Sequence, residues 1–387
     1  MNQPSLYIHI PFCVRKCEYC DFYSGVATDS DIELYLKALK QEMLARLPAN
    51  FAPRTVFMGG GTPTRLSAAQ LKTLGEMLNE TLDMSSCLEF TSEINPGTLT
   101  ADKAAALRAM GVDRASLGVQ SFSDKYLKGL GRLYESGTVD DAIGFIRQAG
   151  IKRLSMDLIF ALPTQTLDEL RTDLDKALSY GTEHLSLYAL TYEDDTPLTR
   201  QLERGEVEPC DEELEREMFT LIGQACSEHG LQRYEVSNFA KPDAECAHNL
   251  VYWRGGDWYG VGAGAHGMID GEVTRNAGDF SAYSADIGNI EANQTSLVSP
   301  FTEQLSGMQR AEALLLMGLR LTEGVNLNQF RQLAGRPLTE LCAKPAAELT
   351  QLGLIEFTDT HVRASSEGLL VLDRVILEFA SVLETLS

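Results

Sequence analysis

Between residues 31 and 188 the hydrophobic pattern alternates between helical spacing and short apolar runs. Residues 31–47 place Ile32, Tyr35, Leu36, Leu39, Met43 and Leu47 on one helical face. Strands are then predicted at 54–58, 88–94, 114–119, 154–160 and 184–188, and helices at 68–82, 101–110, 139–149 and 167–180. With a first strand ending at Ile10, this makes about six βα units. Such alternation predicts an α/β fold with a parallel sheet and right-handed crossovers.

Past residue 193 the rhythm changes. An acidic connection leads to a helix over 211–229, with Leu214, Met218, Leu221, Ile222 and Ala225 on one face, expected to cover the open side of the sheet. Helices at 310–319, 327–334 and 339–352, followed by strands at 353–357 and 362–364, read as a small winged-helix-like domain. The expected organisation is 1–192, 193–300 and 301–387.

Unusual residues gather where function collects in such folds, at the carboxyl ends of strands. Three of eight cysteines, Cys13, Cys17 and Cys20, follow the first strand at spacing C-x3-C-x2-C. Gly59 to Pro63 follows the second strand, Glu93-Ile94-Asn95-Pro96 the third and Gln120-Ser121-Phe122 the fourth, and Asp157 lies within the fifth. A thiolate loop of this size suits zinc completed by His9 or a remote cysteine. It also suits an iron-sulfur cluster with one open iron, which three ligands favour.

Charge narrows the partners. Thirty-three Lys and Arg against 55 Asp and Glu give a net charge of −22, which argues against nucleic acid as a ligand. The remaining cysteines are scattered, as free thiols in a reducing compartment would be. No signal-like or membrane-spanning apolar run is present, so a cytoplasmic location is expected.

The string Tyr7-Ile-His-Ile-Pro-Phe-Cys13 with its cysteine spacing resembles the radical S-adenosylmethionine (SAM) superfamily, in its oxygen-independent coproporphyrinogen III oxidase-like branch. The resemblance covers nearly the whole chain. It implies a partial (β/α)6 radical SAM barrel over 1–192 and a small C-terminal domain. It also implies a 4Fe-4S cluster on Cys13, Cys17 and Cys20, with SAM chelating the open iron. In that family SAM contacts correspond here to Tyr7, Tyr19, Gly60, Gly61, Thr62, Glu93, Gln120, Arg132 and Asp157.

A second dense stretch holds both tryptophans. It runs from Cys246-Ala-His248-Asn249-Leu-Val-Tyr252-Trp253 to a glycine-rich segment ending at Gly267, expected to bring backbone close to a ligand. A histidine among aromatics is more often a hydrogen-bonded structural residue than a ligand, yet such a set also suits a planar ligand with an axial bond to heme iron. The string His-Asn-x-x-Tyr-Trp resembles the heme chaperone subgroup of the branch. That resemblance implies heme held by His248, Asn249, Tyr252 and Trp253, an electron donor for the cluster, and delivery to respiratory acceptor proteins, with membrane association only through those partners. Authentic coproporphyrinogen oxidases carry a further cysteine two positions past the last ligand, where Phe22 stands, and an N-terminal extension. Both departures count against propionate decarboxylation, the alternative activity.

Overall fold

The computed structural model describes residues 3–284 and 301–386. Residues 285–300, the end of the expected middle segment, lie outside them. Six strands pair in parallel in chain order: β1 (Ser5–Ile10), β2 (Thr55–Gly60), β3 (Glu89–Ile94), β4 (Arg114–Gln120), β5 (Arg153–Phe160) and β6 (His184–Ala189). Between them run helices α1 (Asp29–Arg46), α2 (Ala68–Thr81), α3 (Ala101–Met110), α4 (Asp124–Gly129), α5 (Thr138–Ala149) and α6 (Leu167–Ser179). The expected α/β partial-barrel arrangement is therefore present. Helix starts are set locally: Thr28 with Asp31, Ser67 with Gln70 and Thr166 with Glu169 form reciprocal capping boxes.

The two faces of the sheet differ in chemistry. One face sends Phe90, Ala115, Leu117, Val119, Leu154, Met156, Leu158, Leu185 and Leu187 into the main apolar core. Alternate positions put Thr91, Glu93, Arg114, Ser116, Gln120, Ser155, Asp157, His184 and Ser186 on the concave side, where all line one cavity. Period-two alternation thus gives a half-barrel with an apolar back and a polar interior.

Later segments extend both edges of this sheet. On one side β7 (Gln232–Arg233) and β8 (Asn238–Ala240) continue antiparallel from β6. On the other, β9 (Trp258–Val261) pairs in parallel with β1, and β10 (His266–Ile269), β11 (Glu272–Arg275) and β12 (Phe301–Gln304) follow antiparallel. Among the described residues the sheet therefore has 12 strands. Residues 301–304, expected in the C-terminal domain, belong to it.

Two further helices, α7 (Pro197–Glu203) and α8 (Glu212–Glu228), follow β6. Helix α8 does not cover the open side, as its apolar face had suggested. It packs beside α6 in the outer layer, with Met218, Ile222, Ala225 and Cys226 in the main core. Its burial needs are met by a neighbouring helix, which periodicity alone cannot identify. The C-terminal unit has its own core, including Leu315, Phe330, Val362 and Phe379, and a three-stranded sheet. The single helix expected over 339–352 is broken at Cys342 into Leu338–Leu341 and Ala343–Gln351. A terminal helix, Leu372–Leu383, closes the unit.

Candidate functional site

A cavity of about 590 Å³ opens at the carboxyl ends of β1–β6. Cys13, Cys17 and Cys20 line it together with Tyr19, Gly60, Gly61, Thr62, Glu93, Gln120, Arg132 and Asp157. The loop carrying the thiols is fastened at several points. Cys13 N–H donates to Gly25 O at 2.9 Å, Glu18 N–H to Leu130 O at 3.1 Å, and Leu198 N–H to Glu18 O at 2.9 Å. Cys13 Sγ lies 3.5 Å from Thr62 Oγ1. Burial pushes the Cys20 thiol up to about 11 and raises Cys17, with Arg132 opposing at Cys17. Thiols in that condition become ligands only where a cation stabilises their thiolates. Among the described residues, no three Cys, His, Asp or Glu side chains gather round the place of a single ion.

The triple glycine has a packing reason first. A β-carbon on Gly60, whose φ is +102°, would stand 2.2 Å from the His9 ring, and one on Gly61 would stand 2.8 Å from Ile10 O. Only glycine lets the end of β2 lie this close to β1. The same closeness aims the Gly60 N–H at Glu93 Oε2, 3.1 Å away.

Glu93 and Asp157 are both buried carboxyls. Burial, then the charge of Asp157, pushes Glu93 up to about 8, against the pull of the Gly60 amide. Burial also raises Asp157, opposed by hydroxyls of Ser186 and Ser116. Ser116 Oγ donates to Asp157 at 3.0 and 3.1 Å. Two such acids side by side are matched by a cationic guest, as an ammonium or sulfonium would be.

Arg132 Nη2 donates to Tyr19 OH at 2.9 Å, while its buried Nε has no partner among the described residues. Gln120 stands at a bulge in the β4–β5 ladder with φ of +64°, a conformation that re-aims its side chain. Tyr7 is not in the cavity wall. Its ring stacks on Phe57, which is, and its hydroxyl donates to His9 Nδ1 at 3.0 Å, because His9 Nε2 donates to Tyr23 O. Thr91, Arg114, Ser116, Ser155, Ser186 and His184 also line the cavity and were missed from sequence. Their signal was the polar residue at every second strand position.

The aromatic stretch lies differently from the heme-binding expectation. It forms α9 (Ala247–Trp253), whose first amides are held by Glu89: Ala247 N–H at 3.3 Å and His248 N–H at 3.2 Å. The His248 side chain is 0 % exposed. Nδ1 is 2.8 Å from Thr55 Oγ1, which itself donates to Ser5, so Nδ1 carries the proton. Nε2 then accepts from Tyr252 OH at 2.8 Å. No lone pair is left for iron, and burial pushes the ring down to about 3. The structure thus places His248 as a hydrogen-bonded core histidine, the more frequent of the two readings its aromatic neighbours allow. Tyr252 is spent on His248 and stacks edge-on against Trp258 at 4.8 Å, and the Trp253 ring lies 5.9 Å from the Arg320 guanidinium. Asn249 alone of the four lines the cavity. The glycine-rich segment beyond is packed on protein: a β-carbon at Gly262 would meet Tyr35 OH at 2.5 Å and His9 O at 2.6 Å.

Comparison with known proteins follows this geometry. The Radical SAM superfamily profile matches residues 7–177, and the HemN C-terminal domain profile matches 305–371. "Heme chaperone HemW" of Bacillus subtilis is 37% identical over 97% of this chain and 98% of its own length. The chain belongs to the HemW family. The Escherichia coli HemW is 39% identical over 70% of this chain and 72% of its own length. The solved coproporphyrinogen III oxidase (HemN) of Escherichia coli superposes with a TM-score of 0.82 at 22% identity, over 98% of this chain and 90% of that one, a likeness of fold. The chain combines a radical SAM region with a HemN-type C-terminal domain. No helix among the described residues is long and apolar enough to cross a membrane.

Proposed function

We propose that this protein is a heme chaperone that carries a 4Fe-4S cluster and SAM in the half-barrel cavity, takes up heme, and delivers it to acceptor proteins, respiratory enzymes foremost. The observation that carries the reading is the meeting of three thiols, two paired buried acids and an arginine in one cavity, in a chain aligned with HemW over nearly its full length. The cysteine, acid and arginine donors suit the two cofactors. Cys13, Cys17 and Cys20 would hold the cluster. Glu93 and Asp157 would face the ammonium or sulfonium of SAM, Arg132 its carboxylate, and Gln120 and Thr62 its polar rim. When bound, the cluster and SAM together supply a one-electron route to cleavage of the sulfonium, fed by an electron donor in a reducing compartment such as the cytoplasm.

Phe22 bears on the choice between chaperone and oxidase. It is 61 % exposed at the cavity wall, in the place of an additional thiol. An apolar ring there widens the greasy rim without adding redox chemistry. The test is anaerobic reconstitution followed by two assays on one sample. Iron, sulfide and a brown absorbance that vanish in the Cys13→Ala, Cys17→Ala, Cys20→Ala variant, with a Soret shift on heme addition, support the reading. Protoporphyrinogen and carbon dioxide from coproporphyrinogen III, SAM and reductant would replace it with the oxidase.

A further inference from the structure

The inner end of the cavity is built differently from its mouth. Thr91 and Arg114 are register partners across β3 and β4, and both contribute to the wall. They are 1 % and 2 % exposed, yet Thr91 Oγ1 and Arg114 Nη2 have no hydrogen-bond partner among the described residues. Arg114 Nη1 is already engaged by Glu89 at 3.4 Å and by Ala244 O at 3.0 Å. Asp157 accepts from Ser116 and makes no hydrogen bond to the arginine. Glu89 also accepts from Cys246 Sγ at 3.4 Å. One turn beyond Cys246 on α9, the half-buried Asn249 lines the same cavity, and its side-chain amide makes no hydrogen bond to the described residues.

Buried donors left open by the protein are costly, and native structures keep few of them without a reason. Here a buried guanidinium and a buried hydroxyl stand open at paired positions of neighbouring strands in one cavity, and the half-buried Asn249 lines the same cavity. A guanidinium with neutral donors beside it matches a planar acceptor with two oxygens. We propose that Arg114, Thr91 and Asn249 form a carboxylate-binding subsite at the inner end of the cavity, which seats a propionate-type arm of a tetrapyrrole. The assignment rests on the heme reading above for the ligand's identity, and on the open donors for its chemistry. It gives the His-Asn-x-x-Tyr-Trp string a division of labour: His248 pins α9 to β2, and Asn249 meets the ligand.

The test titrates full-length reconstituted protein with heme and with heme dimethyl ester, whose propionates are capped, reading the Soret band. Wild type is expected to bind heme at least tenfold more tightly than the ester. Thr91→Val and Asn249→Leu are each expected to remove most of that preference while leaving the ester's affinity in place, which also shows that the variants are folded. Equal wild-type affinity for the two ligands overturns the subsite and leaves heme binding standing. Binding of neither overturns the heme reading and the subsite with it. Sodium propionate alone is the arm for free acids: tight binding of propionate, with no preference between heme and ester, overturns the tetrapyrrole assignment.

Discussion

Replacing Glu89 with alanine is expected to destabilise the half-barrel by about 3–5 kcal/mol, the range for breaking a buried ion pair by deleting one partner. The glutamate side chain is 0 % exposed and Arg114 2 %. Deletion strands the guanidinium in the interior with only the Ala244 carbonyl on Nη1. It also frees the second arginine, Arg153, at 3.3 Å, and uncaps the first two amides of α9. Each of those amides carries its own cost of about 1 kcal/mol or more when buried without an acceptor, and the costs overlap because one carboxylate serves all of them. Against a total stability of roughly 5–15 kcal/mol, this is a large share. Both tryptophans, Trp253 at the end of α9 and Trp258 on β9, lie beside the perturbed helix, so urea unfolding followed by their fluorescence reads this region directly. Glu89→Gln retains an acceptor for the amides and is expected to fall between alanine and wild type. Glu356→Ala, which breaks an exposed pair with Arg363, is the control and is expected to cost less than about 1 kcal/mol. An unfolding midpoint for Glu89→Ala no further from wild type than that control would refute the account of Glu89 as the hub of the cavity's inner end.

Three other expectations follow from the same geometry. His248→Ala is expected to lower stability by roughly 2–4 kcal/mol, through a cavity and two orphaned hydroxyls, while changing heme affinity less than about threefold in a Soret titration at a temperature where the variant is folded; a loss of heme affinity beyond tenfold would reinstate it as a ligand. Gly60→Ala is expected to be poorly folded, because its β-carbon would collide with the His9 ring and its φ of +102° disfavours any side chain; an unchanged thermal midpoint would show that the end of β2 can move away. The two perturbed acids and bases give opposite pH slopes. His248, lowered to about 3, loses its stabilising contribution as pH falls from about 6.5 toward 3, since the unfolded chain takes the proton first. Glu93, raised to about 8, loses its contribution as pH rises from about 4.5 to 8 in protein free of cofactors, and Glu93→Gln is expected to flatten that upper limb in denaturant midpoints measured across pH.

The repeated βα units were legible because helical spacing and short apolar runs are local properties, so α3 was found with the same ends from sequence and in the structure. The thiol loop and the residues that share its cavity were legible because they sit at strand ends, a position that topology supplies. What escaped was tertiary. Ser116, Ser155 and Ser186 look like ordinary strand interruptions until neighbouring strands are aligned and their hydroxyls turn toward one space. Glu89 gives no sign in sequence that it will cap a helix 158 residues later. His248 stayed open in the sequence because aromatic neighbours suit both a ligand and a packed core, and its placement rests on Thr55 and Tyr252, whose hydroxyls use both ring nitrogens. The path of α8 beside α6 and the four short strands β9–β12 were likewise set by partners far away in the chain.

The place of β1 in the sheet carries a consequence for biosynthesis. The strand that precedes the thiol loop has β2 on one side and β9 on the other. A nascent chain emerging from the ribosome can pair the first edge after about 60 residues but not the second until residue 261 has been made, roughly 10–40 s later at ordinary elongation rates. Throughout that interval the residues before Cys13 have a bare edge, and the Tyr35 hydroxyl lacks the Ala263 amide that donates to it at 3.0 Å. The strand that leads into the thiol loop therefore gains its second neighbour only once most of the polypeptide has been synthesised, and a truncated product ending before β9 would carry all three thiols behind a strand with one edge unpaired.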